Sequence, residues 1–434
     1  MTASPATLIV TNLHLVDPVA DHVRPGWIRI EDGVIAATGQ GPVSAAPSDE
    51  GNTIDGRGWH VAPGIVDLGV KVCEPGERHK ESYASAGRAA AAGGVTTIIT
   101  RPDTDPPIDT PETLEFVARR AQSDARVRVH HMAALTKERA GREMTEIGFL
   151  KDAGAVAFTD CDHVVANTKV LSRALTYAQA HGALVMAHPQ EPMLSKGAVT
   201  TSGKFASLRG LPAVSPMAER MELDRLVALV EMTGVALHLD QVTTARALPA
   251  LARAKANGLD ISAGTSIHHL TLNALDVADY RTFFKVKPPL RDEEDRQAIV
   301  EALREGAIDV LSSMHTPQDE ESKRRPYEEA AAGAVALETM LPAALRLYHA
   351  DALSLPQLFR AMSTNPAKRL GLPGGTLAEG APADLVFFDP DAPVIIDRFK
   401  LQSKSKNTPF DTARMQGRVR ATLVGGDIVH GSLG

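Results

Sequence analysis

Residues 61–76, VAPGIVDLGVKVCEPG, decide the fold because a new pattern begins there. An apolar, strand-like run leads into Asp67, and Lys71, Cys73 and Glu74 follow it. Similar apolar runs then alternate with helical stretches: VTTIIT precedes PETLEFVARRAQ, VHHMAAL precedes EIGFLKDA, and ALVMAH precedes a segment containing MAERMELDRLVALVEMTG. Strands that alternate with helices predict a parallel sheet with right-handed crossovers. About eight such repeats predict an α/β fold, a closed (β/α)8 barrel over residues 59–372.

The two ends of the chain carry a different pattern. Residues 7–16 and 26–37 alternate apolar and polar side chains, as half-buried strands do. Within the second run, Glu31-Asp32-Gly33 is the signal of a tight hairpin turn. Alternation returns near the C-terminus in GGTLAEG, ADLVFFDP and VRATLVGGDIVHG. We therefore predict one small β domain formed by residues 1–58 and 373–434.

Composition and charge exclude several classes of protein. The formal net charge is −7, which argues against nucleic acid or an anionic membrane as a main partner. No apolar run reaches the ~18 residues of a membrane-spanning helix, and the N-terminal MTASPATLIVTNLHLV lacks the basic region of a secretion signal. Two cysteines in 434 residues exclude a disulfide framework. We expect a cytoplasmic protein.

The stretch quoted above resembles the end of the first barrel strand in the cyclic amidohydrolases, and most closely in the dihydroorotases. In that family it reads Asp, any residue, His, any residue, His, and then Leu-Arg-Glu-Pro-Gly. Here Asp67 and Glu74-Pro75-Gly76 match. Gly69 and Lys71 stand where the family has its two His, and Cys73 stands where it has the Arg that would pair with the dihydroorotate carboxylate.

The resemblance extends over almost the whole chain. Ser363-Thr364-Asn365-Pro366-Ala367-Lys368 is similar to the start of the family's closing segment, and GTLAEGAPADLV is similar to its returning strand. SKSKNTPFDTARMQGRV (403–419) is similar to its tail. The resemblance implies a TIM-type amidohydrolase barrel with a small β-sandwich domain built from both termini. It places the site at the C-terminal ends of the barrel strands.

Most site positions of the family carry another residue in this chain. His188 in ALVMAHPQE matches a metal-binding His, and Phe158-Thr159-Asp160-Cys161-Asp162 resembles the loop that supplies a bridging ligand. The replaced positions are Asp103 for the Asn of Met-Pro-Asn-Thr, Gln241 for a later His, Lys287 for the Asn of Lys-Met-Asn-Pro-Pro-Leu-Arg, and Met314 and Gln318 for the Asp and last His of Asp-His-Ala-Pro-His.

These replacements predict the loss of catalysis. The family would use zinc, which needs lone pairs aimed at it from roughly 2 Å away. Four of the six implied ligand positions are replaced, at Gly69, Lys71, Gln241 and Met314. Without the metal, nothing lowers the pKa of the attacking water. Met314 also stands at the position of the general base, and a thioether cannot take a proton from water. We expect no cofactor.

The retained metal candidates are His188, Asp160 and Asp162. A single His with a nearby acid does not make a closed tetrahedral zinc site, so a hydrogen-bonded structural histidine is the simpler interpretation. Cys73 and Cys161 could join His188 in an improvised metal site, form a redox pair, or be small buried hydrophobic residues.

Other polar residues have a structural interpretation. Lys71 is expected to pair with Asp67, Glu74 or Asp160 and to fill the space that the metal left. The histidines in apolar runs are interpreted as structural; they are His130, His131, His238, His268 and His269.

Within the family, the chain looks most like dihydroorotase homologues that lack activity. In some bacteria such a chain is a required structural partner of the aspartate transcarbamoylase catalytic chain, and a separate dihydroorotase does the hydrolysis. The resemblance therefore implies a noncatalytic subunit of pyrimidine biosynthesis in a homo-oligomer or hetero-oligomer. Two alternatives stay open. One is an active dihydroorotase or related cyclic-amide hydrolase with a rebuilt metal centre. The other is a sensor that uses the barrel mouth to bind a pyrimidine intermediate or nucleotide, with Lys71, Arg101 and Lys287 offering positive charge.

Overall fold

A computed structural model describes residues 7–41 and 53–433 of the chain. Its strands are β1 (Thr7–Asp17), β2 (His22–Glu31), β3 (Val34–Gly39), β4 (Thr53–Asp55), β5 (His60–Pro63), β6 (Ile65–Val70), β7 (Val95–Thr100), β8 (Arg128–Ala133), β9 (Ala157–Phe158), β10 (Val185–Ala187), β11 (Thr200–Thr201), β12 (Ala213–Val214), β13 (Leu237–Leu239), β14 (Ile261–Ser266), β15 (Val310–Ser312), β16 (Leu385–Ile395), β17 (Arg414–Val424) and β18 (Asp427–Gly431).

The α-helices lie mainly between the barrel strands. They are α1 (Tyr83–Ala92), α2 (Pro111–Asp124), α3 (Ile147–Asp152), α4 (Thr168–Ala180), α5 (Pro192–Ser195), α6 (Lys204–Arg209), α7 (Met217–Thr233), α8 (Leu248–Ala256), α9 (Ile267–Thr271), α10 (Glu293–Arg304), α11 (Glu320–Lys323), α12 (Met340–His349), α13 (Leu355–Phe359) and α14 (Asn365–Leu370). In the described part of the chain, no helix has the length and apolar character needed to cross a bilayer.

Eight parallel strands form a nearly closed barrel, so the predicted (β/α)8 architecture is confirmed. They pair in the order β15-β14-β13-β10-β9-β8-β7-β6. The two ends of this order, β15 and β6, are joined just beyond the strands. The Ser313 N–H donates to Asp67 Oδ1 at 2.8 Å, and the Lys71 N–H donates to His315 O at 2.9 Å. The Asp67 carboxylate therefore helps to close the barrel.

The barrel strands and helices follow from local sequence. All six residues of β7, VTTIIT, are buried, as expected for a parallel strand covered on both faces. Helix α2 begins after Thr110, whose side chain accepts a hydrogen bond from the Thr113 N–H, and Pro111 occupies its first turn. Helix α7 ends at Gly234, whose φ of 69° suits glycine.

The two ends of the chain form one eight-stranded mixed sheet. Its order is β18-β17-β16-β5-β1-β2-β3, and β4 pairs with β1. Strand β5 is parallel to β1 and antiparallel to β16, so hydrogen bonds join the N-terminal and C-terminal segments. The predicted hairpin turns at Asp32 and Gly33, which have φ of 47° and 79°. A small β domain built from both termini is thus confirmed. Its boundaries at 58 and 373 stay a prediction, and its residues 1–6, 42–52 and 434 lie outside the described residues.

One expected strand does not form. GGTLAEG (374–380) contains turns instead. Gly374 and Gly375 have φ of 109° and 69°, which extended strand residues do not adopt. A Cβ atom on Gly375 would lie 2.7 Å from Ser363 O, so glycine is needed there for close backbone contact. The segment still meets the sheet, because the Gly380 N–H donates to Ile35 O at 2.8 Å.

Candidate functional site at the barrel mouth

The predicted site positions lie at the C-terminal ends of the barrel strands. Gly69 is in β6, and Lys71 and Cys73 follow it. Asp103 follows β7, Asp160 follows β9, His188 follows β10, Gln241 follows β13, and Met314 and Gln318 follow β15. The side chains do not form one cluster, however. Gly69 and Met314 line an inner cavity, His188 and Lys287 line an outer one, and Gln318 lines a third at the rim.

A thioether fills the space between β6 and β15. A Cβ atom on Gly69 would lie 2.8 Å from Met314 Sδ and 3.3 Å from Met314 Cε. The two replacements therefore depend on each other, because glycine at position 69 leaves the room that the Met314 side chain occupies. The inner cavity beside them is small, with a volume of only about 20 Å³ accessible to the centre of a water molecule. That space holds about one water molecule.

A buried ion-pair cluster lies at the ends of β6 and β7. Lys71 Nζ is 3.4 Å from Asp103 Oδ2 and 3.4 Å from Glu77 Oε2. Arg101 donates to both Asp103 oxygens, at 3.1 Å from Nε and 2.7 Å from Nη2. Burial opposes charge on Asp103, but Arg101 and Lys71 outweigh it and lower the pKa of that carboxyl. Burial likewise opposes charge on Lys71, but Asp103 outweighs it and raises the pKa of Lys71. Both groups are therefore charged at neutral pH.

The prediction that Lys71 pairs with Asp67, Glu74 or Asp160 is wrong, because each of these carboxylates has other partners. Asp67 accepts a hydrogen bond from Ser313. Glu74 accepts from Arg120 and from the Tyr83 N–H. Asp160 accepts from the N–H groups of Leu135 and Thr136. The Lys71 ammonium reaches Asp103 and Glu77 instead, and Met314 takes the space beside Gly69.

Asp67 is the buried carboxyl at the seam between β6 and β15. It accepts hydrogen bonds from the Ser313 N–H and hydroxyl. Burial raises the pKa of Asp67 to about 6, although the Ser313 hydrogen bonds lower it. A carboxyl with this pKa carries a proton over part of the range in which an exposed Asp is ionised.

The two acids of the 158–162 loop have different roles. Asp160 accepts from the N–H groups of Leu135 and Thr136 at 3.0 and 2.9 Å, so it anchors the loop after β8. Asp162 faces the mouth, where its carboxylate is 2.8 Å from Lys287 Nζ. Burial opposes charge on Asp162, but Lys287 and Arg101 outweigh it and lower the pKa of Asp162 below its ordinary range.

His188 is buried and is held by Asp240. Its Nδ1 lies 3.1 Å from Asp240 Oδ1, and its Nε2 has no hydrogen-bond partner among the described residues. Gln241, at the next strand end, donates to Lys287 O at 3.2 Å. The outer cavity beside His188 measures about 380 Å³ and is also lined by Asp162 and Lys287. This side of the mouth is open, whereas the β6–β15 side is filled.

Cys73 and Cys161 are free and buried. Burial raises the pKa of each thiol to about 12, so both are protonated at neutral pH. Metal binding and redox exchange require the thiolate. The two thiols therefore behave as small buried hydrophobic groups.

The residues at the mouth do not fit a zinc ion. Among residues 7–41 and 53–433, no group of three or more His, Cys, Asp and Glu side chains is arranged to hold a metal ion. Zinc in a catalytic site needs three protein ligands. On the described residues, His188, Asp160 and Asp162 do not supply such a set, and neither do the two cysteines with His188.

The five histidines that lie in apolar runs, at positions 130, 131, 238, 268 and 269, are buried or half-buried in the fold. His131 Nδ1 is 2.7 Å from Thr100 Oγ1, and burial lowers its pKa to about 4. Burial also lowers the pKa of His238, His268 and His269 to about 3. His238 contacts Ser262, and His269 contacts Ser266. These contacts fit the structural interpretation.

Several partners at the mouth were missed by sequence reasoning. Asp240 directly precedes Gln241 at a strand end, and Glu77 directly follows the matched Gly76, so adjacency in the sequence was a signal for both. Arg139 carries no such signal. It donates to Asp160 O at 3.1 Å and lies 3.5 Å from Asp162, a contact that only the folded chain makes.

Comparison with known proteins agrees with this architecture. A family model described as Dihydro-orotase-like matches residues 58–247. The Dihydroorotase-like protein of Pseudomonas aeruginosa is 36% identical over 424 residues, covering 98% of this chain and 99% of the relative. This chain belongs to the dihydroorotase-like amidohydrolase family. Other members of similar identity are named Dihydroorotase, such as that of Anaeromyxobacter dehalogenans, which is 38% identical over 427 residues and 98% covered in both chains.

The fold of this chain is similar to those of solved hydantoinase and dihydropyrimidinase structures. L-Hydantoinase (dihydropyrimidinase) from Arthrobacter aurescens has a TM-score of 0.88 at 26% identity, with 98% of this chain and 96% of that chain covered. Dihydropyrimidinase from Brevibacillus agri has a TM-score of 0.84 at 22% identity, with 98% and 95% covered. The second likeness concerns the fold alone.

Proposed function

We propose that this dihydroorotase-like chain is catalytically inactive and acts as a structural, noncatalytic subunit of aspartate transcarbamoylase in pyrimidine biosynthesis. The observation that carries the proposal is the contact between positions 69 and 314. The Met314 sulfur occupies the space into which a side chain at position 69 would project. In the neighbouring cluster, the cations Lys71 and Arg101 pair with the carboxylates Asp103 and Glu77 where the family would hold a metal cation.

The rest of the fold supports a role that depends on the surface. The similarity to the Pseudomonas aeruginosa protein covers 98% of this chain and 99% of that relative. Its barrel and mixed sheet retain the family architecture, whereas four of the six implied ligand positions, among them that of the general base, carry other residues. Such a chain can retain a binding surface for another protein after it has lost hydrolytic activity.

The test is co-expression with the aspartate transcarbamoylase chain of the same organism. Light scattering on the purified mixture gives the mass of the assembly, and transcarbamoylase activity is read across the same peak. The proposal expects one large species that is active only when both chains are present. Two separate peaks, with an active transcarbamoylase alone, would reject it.

Hydrolysis is tested on the purified chain with added zinc and dihydroorotate. The proposal expects no metal-dependent turnover and no stoichiometric zinc. Turnover that a chelator abolishes would instead support the alternative of an active hydrolase with a rebuilt metal centre. Relatives named Dihydroorotase are the reason to test this alternative.

The outer cavity favours a second candidate, a ligand sensor. About 380 Å³ remains open beside His188, Asp162 and Lys287, and Lys287 offers a cation to a bound anion. Thermal stabilisation by dihydroorotate, carbamoyl aspartate or a nucleotide, lost in Lys287→Met, would support this function. No stabilisation by any of them would count against it.

A further inference from the structure

Two exposed surfaces of opposite charge lie on connections that follow the barrel strands. The first, the acidic surface, spans residues 109–149 and includes the start of α2, the loop after β8 and α3. It contains a groove of about 530 Å³. Five carboxylates and two basic side chains line the groove: Asp109, Glu112, Glu138, Glu143 and Glu146, with Lys137 and Arg142. The groove therefore has three negative charges in excess.

Most of this negative charge has no partner in the chain. Lys137 pairs with Glu143 at 2.5 Å. Asp109 accepts a hydrogen bond from the Glu138 N–H at 2.8 Å and keeps its charge. Over residues 7–41 and 53–433, three carboxylates of the groove have no basic group within 4 Å: Glu112, Glu138 and Glu146. The groove can therefore accept cations from another molecule.

Large apolar side chains border the groove. Phe149 is 66% exposed, Phe116 is 45% exposed and Met144 is 36% exposed. Phe116 lies four residues after Glu112 in α2 and so shares its helix face. Met144 and Phe149 flank Glu146 at the start of α3, which packs against α2. Exposed aromatic and methionine side chains beside one groove are typical of a protein–protein contact.

The second surface, the basic surface, is the connection 192–217 after β10. It contains three basic residues and no Asp or Glu, although acids outnumber bases in the whole chain by 53 to 46. Arg209 pairs with Asp279 at 3.2 Å, and Glu191 directly precedes the segment. With both carboxylates counted, one positive charge remains in excess. In the part of the chain that the structure describes, Lys196 and Lys204 have no carboxylate within 4 Å.

The basic surface also exposes large apolar side chains. The Glu191 N–H donates to Ala218 O at 2.9 Å, which holds the start of α5 against the start of α7. Helix α6 lies between β11 and β12, which pair with each other. The apolar side chains and their exposed fractions are Met193 at 72%, Leu194 at 50%, Leu208 at 85% and Met217 at 43%. Four such side chains on one connection form a patch.

We propose that the acidic surface of one copy of this chain binds the basic surface of a second copy. Both surfaces are exposed in the single chain, so neither covers the other. The unpaired carboxylates of the groove meet Lys196 and Lys204, and Phe149 and Phe116 pack on the exposed Met and Leu side chains. Surfaces of like charge repel, so each surface selects the other.

This contact is heterologous, because two different surfaces meet. Each pair of copies leaves one acidic and one basic surface free, and association continues until a ring closes. The contact does not depend on the proposed assembly with a transcarbamoylase chain, which is absent from the experiments below.

The first test is sedimentation velocity on the purified full chain. The proposal expects a species larger than one chain. It also expects association to be about tenfold weaker in about 0.5 M than in about 0.05 M sodium chloride, because salt screens the charges that attract the two surfaces.

Charge reversal distinguishes the two surfaces. One variant combines Glu112→Lys with Glu146→Lys, and the other combines Lys196→Glu with Lys204→Glu. Each variant alone should sediment as a single chain. An equal mixture of the two should associate again, because the first variant keeps an intact basic surface and the second keeps an intact acidic surface.

Two control variants carry the same changes in charge at exposed positions outside both surfaces. They are Glu305→Lys with Glu379→Lys, and Lys368→Glu with Lys400→Glu. Both should associate like the wild type.

The apolar part of the contact is tested separately. Phe149→Ala and Leu208→Ala should each weaken association about tenfold. Met232→Ala is the control, since Met232 is 64% exposed near the other end of α7, and it should associate like the wild type. Thermal unfolding of the single chains should be unchanged, because all three side chains are exposed.

Three results would overturn the proposal. The wild type sediments as a single chain at every concentration tested, or the mixture of the two charge variants stays as single chains. The third is loss of association in only one of the two charge variants, which would leave the other surface to a different partner such as the transcarbamoylase chain.

Discussion

The two sides of the barrel mouth have both lost implied metal ligands, but they differ in what replaced them. Between β6 and β15, Met314 packs over Gly69 and little space remains. Between β10 and β13, His188 is retained on Asp240, and the adjoining cavity of about 380 Å³ stays open. On the first side the two strands meet at the seam that closes the barrel, so a void would be costly and is filled by packing. On the second side a long connection, residues 188–216, separates the strand end from α7, and space there is tolerated.

The largest expected effect tests the filled side. Gly69→His should destabilise the fold by about 4 kcal/mol, because the new side chain meets Met314 Sδ and φ is +80°. Chemical denaturation measures the change. Gly58→His is the matched control: φ is +77° there, but nothing lies within 4 Å of the added Cβ, so it should cost about 1 kcal/mol. Adding Met314→Ala should recover part of the Gly69→His loss, and simple additivity of the two costs would contradict the packing argument.

The seam also predicts a pH dependence. The pKa of folded Asp67 is raised to about 6 from the ordinary 3.8, so the folded state holds its proton more tightly than the unfolded state does. Stability from this group is therefore complete below about pH 4 and is lost as pH rises to about 6. Asp67→Asn should gain about 3 kcal/mol relative to the wild type across that window. Denaturation curves at several pH values measure the difference, and a constant difference would mean that Asp67 ionises normally.

Breaking the ion-pair cluster should cost nearly as much. Arg101→Met leaves buried Asp103 with Lys71 as its remaining close cation and should destabilise the fold by about 3 kcal/mol. The double variant Arg101→Met with Asp103→Asn should be more stable than Arg101→Met alone, because it buries no carboxylate that has lost its guanidinium partner. If the double variant is the less stable of the two, the cluster is held together by something other than charge.

The smallest effect is expected on the open side. Lys287 pairs with Asp162, but its side chain is 49% exposed, so solvent screens the pair. Lys287→Met should change stability by less than about 1 kcal/mol, measured by thermal and chemical unfolding. A loss as large as that of Arg101→Met would show that the open side is as tightly built as the filled one, and the contrast between them would fail.

Much of the fold could be predicted from the chain alone. The change of pattern at residue 60, the buried run VTTIIT and the turn at Asp32-Gly33 all reflect local periodicity and local backbone preference. The expected strand at 374–380 does not form, because Gly374 and Gly375 turn the chain there. The candidate site was predictable in position, since most of the replaced residues lie at or shortly after the C-terminal end of a strand. Its contacts were not, because Asp103 reaches Lys71, and Lys287 reaches Asp162, from other loops.

The sequence by itself determined the alternation that makes a barrel, the family to which the chain belongs, and the residue types at each strand end. Those features depend only on neighbouring residues or on which residues follow one another in the chain. Only the tertiary structure decided that Met314 fills the space beside Gly69, that Lys71 pairs with Asp103 and Glu77, and that Asp160 turns away from the mouth while Asp162 faces it. These outcomes depend on distances between strands that are far apart in the chain, and such distances are set by packing and by charge in a buried space.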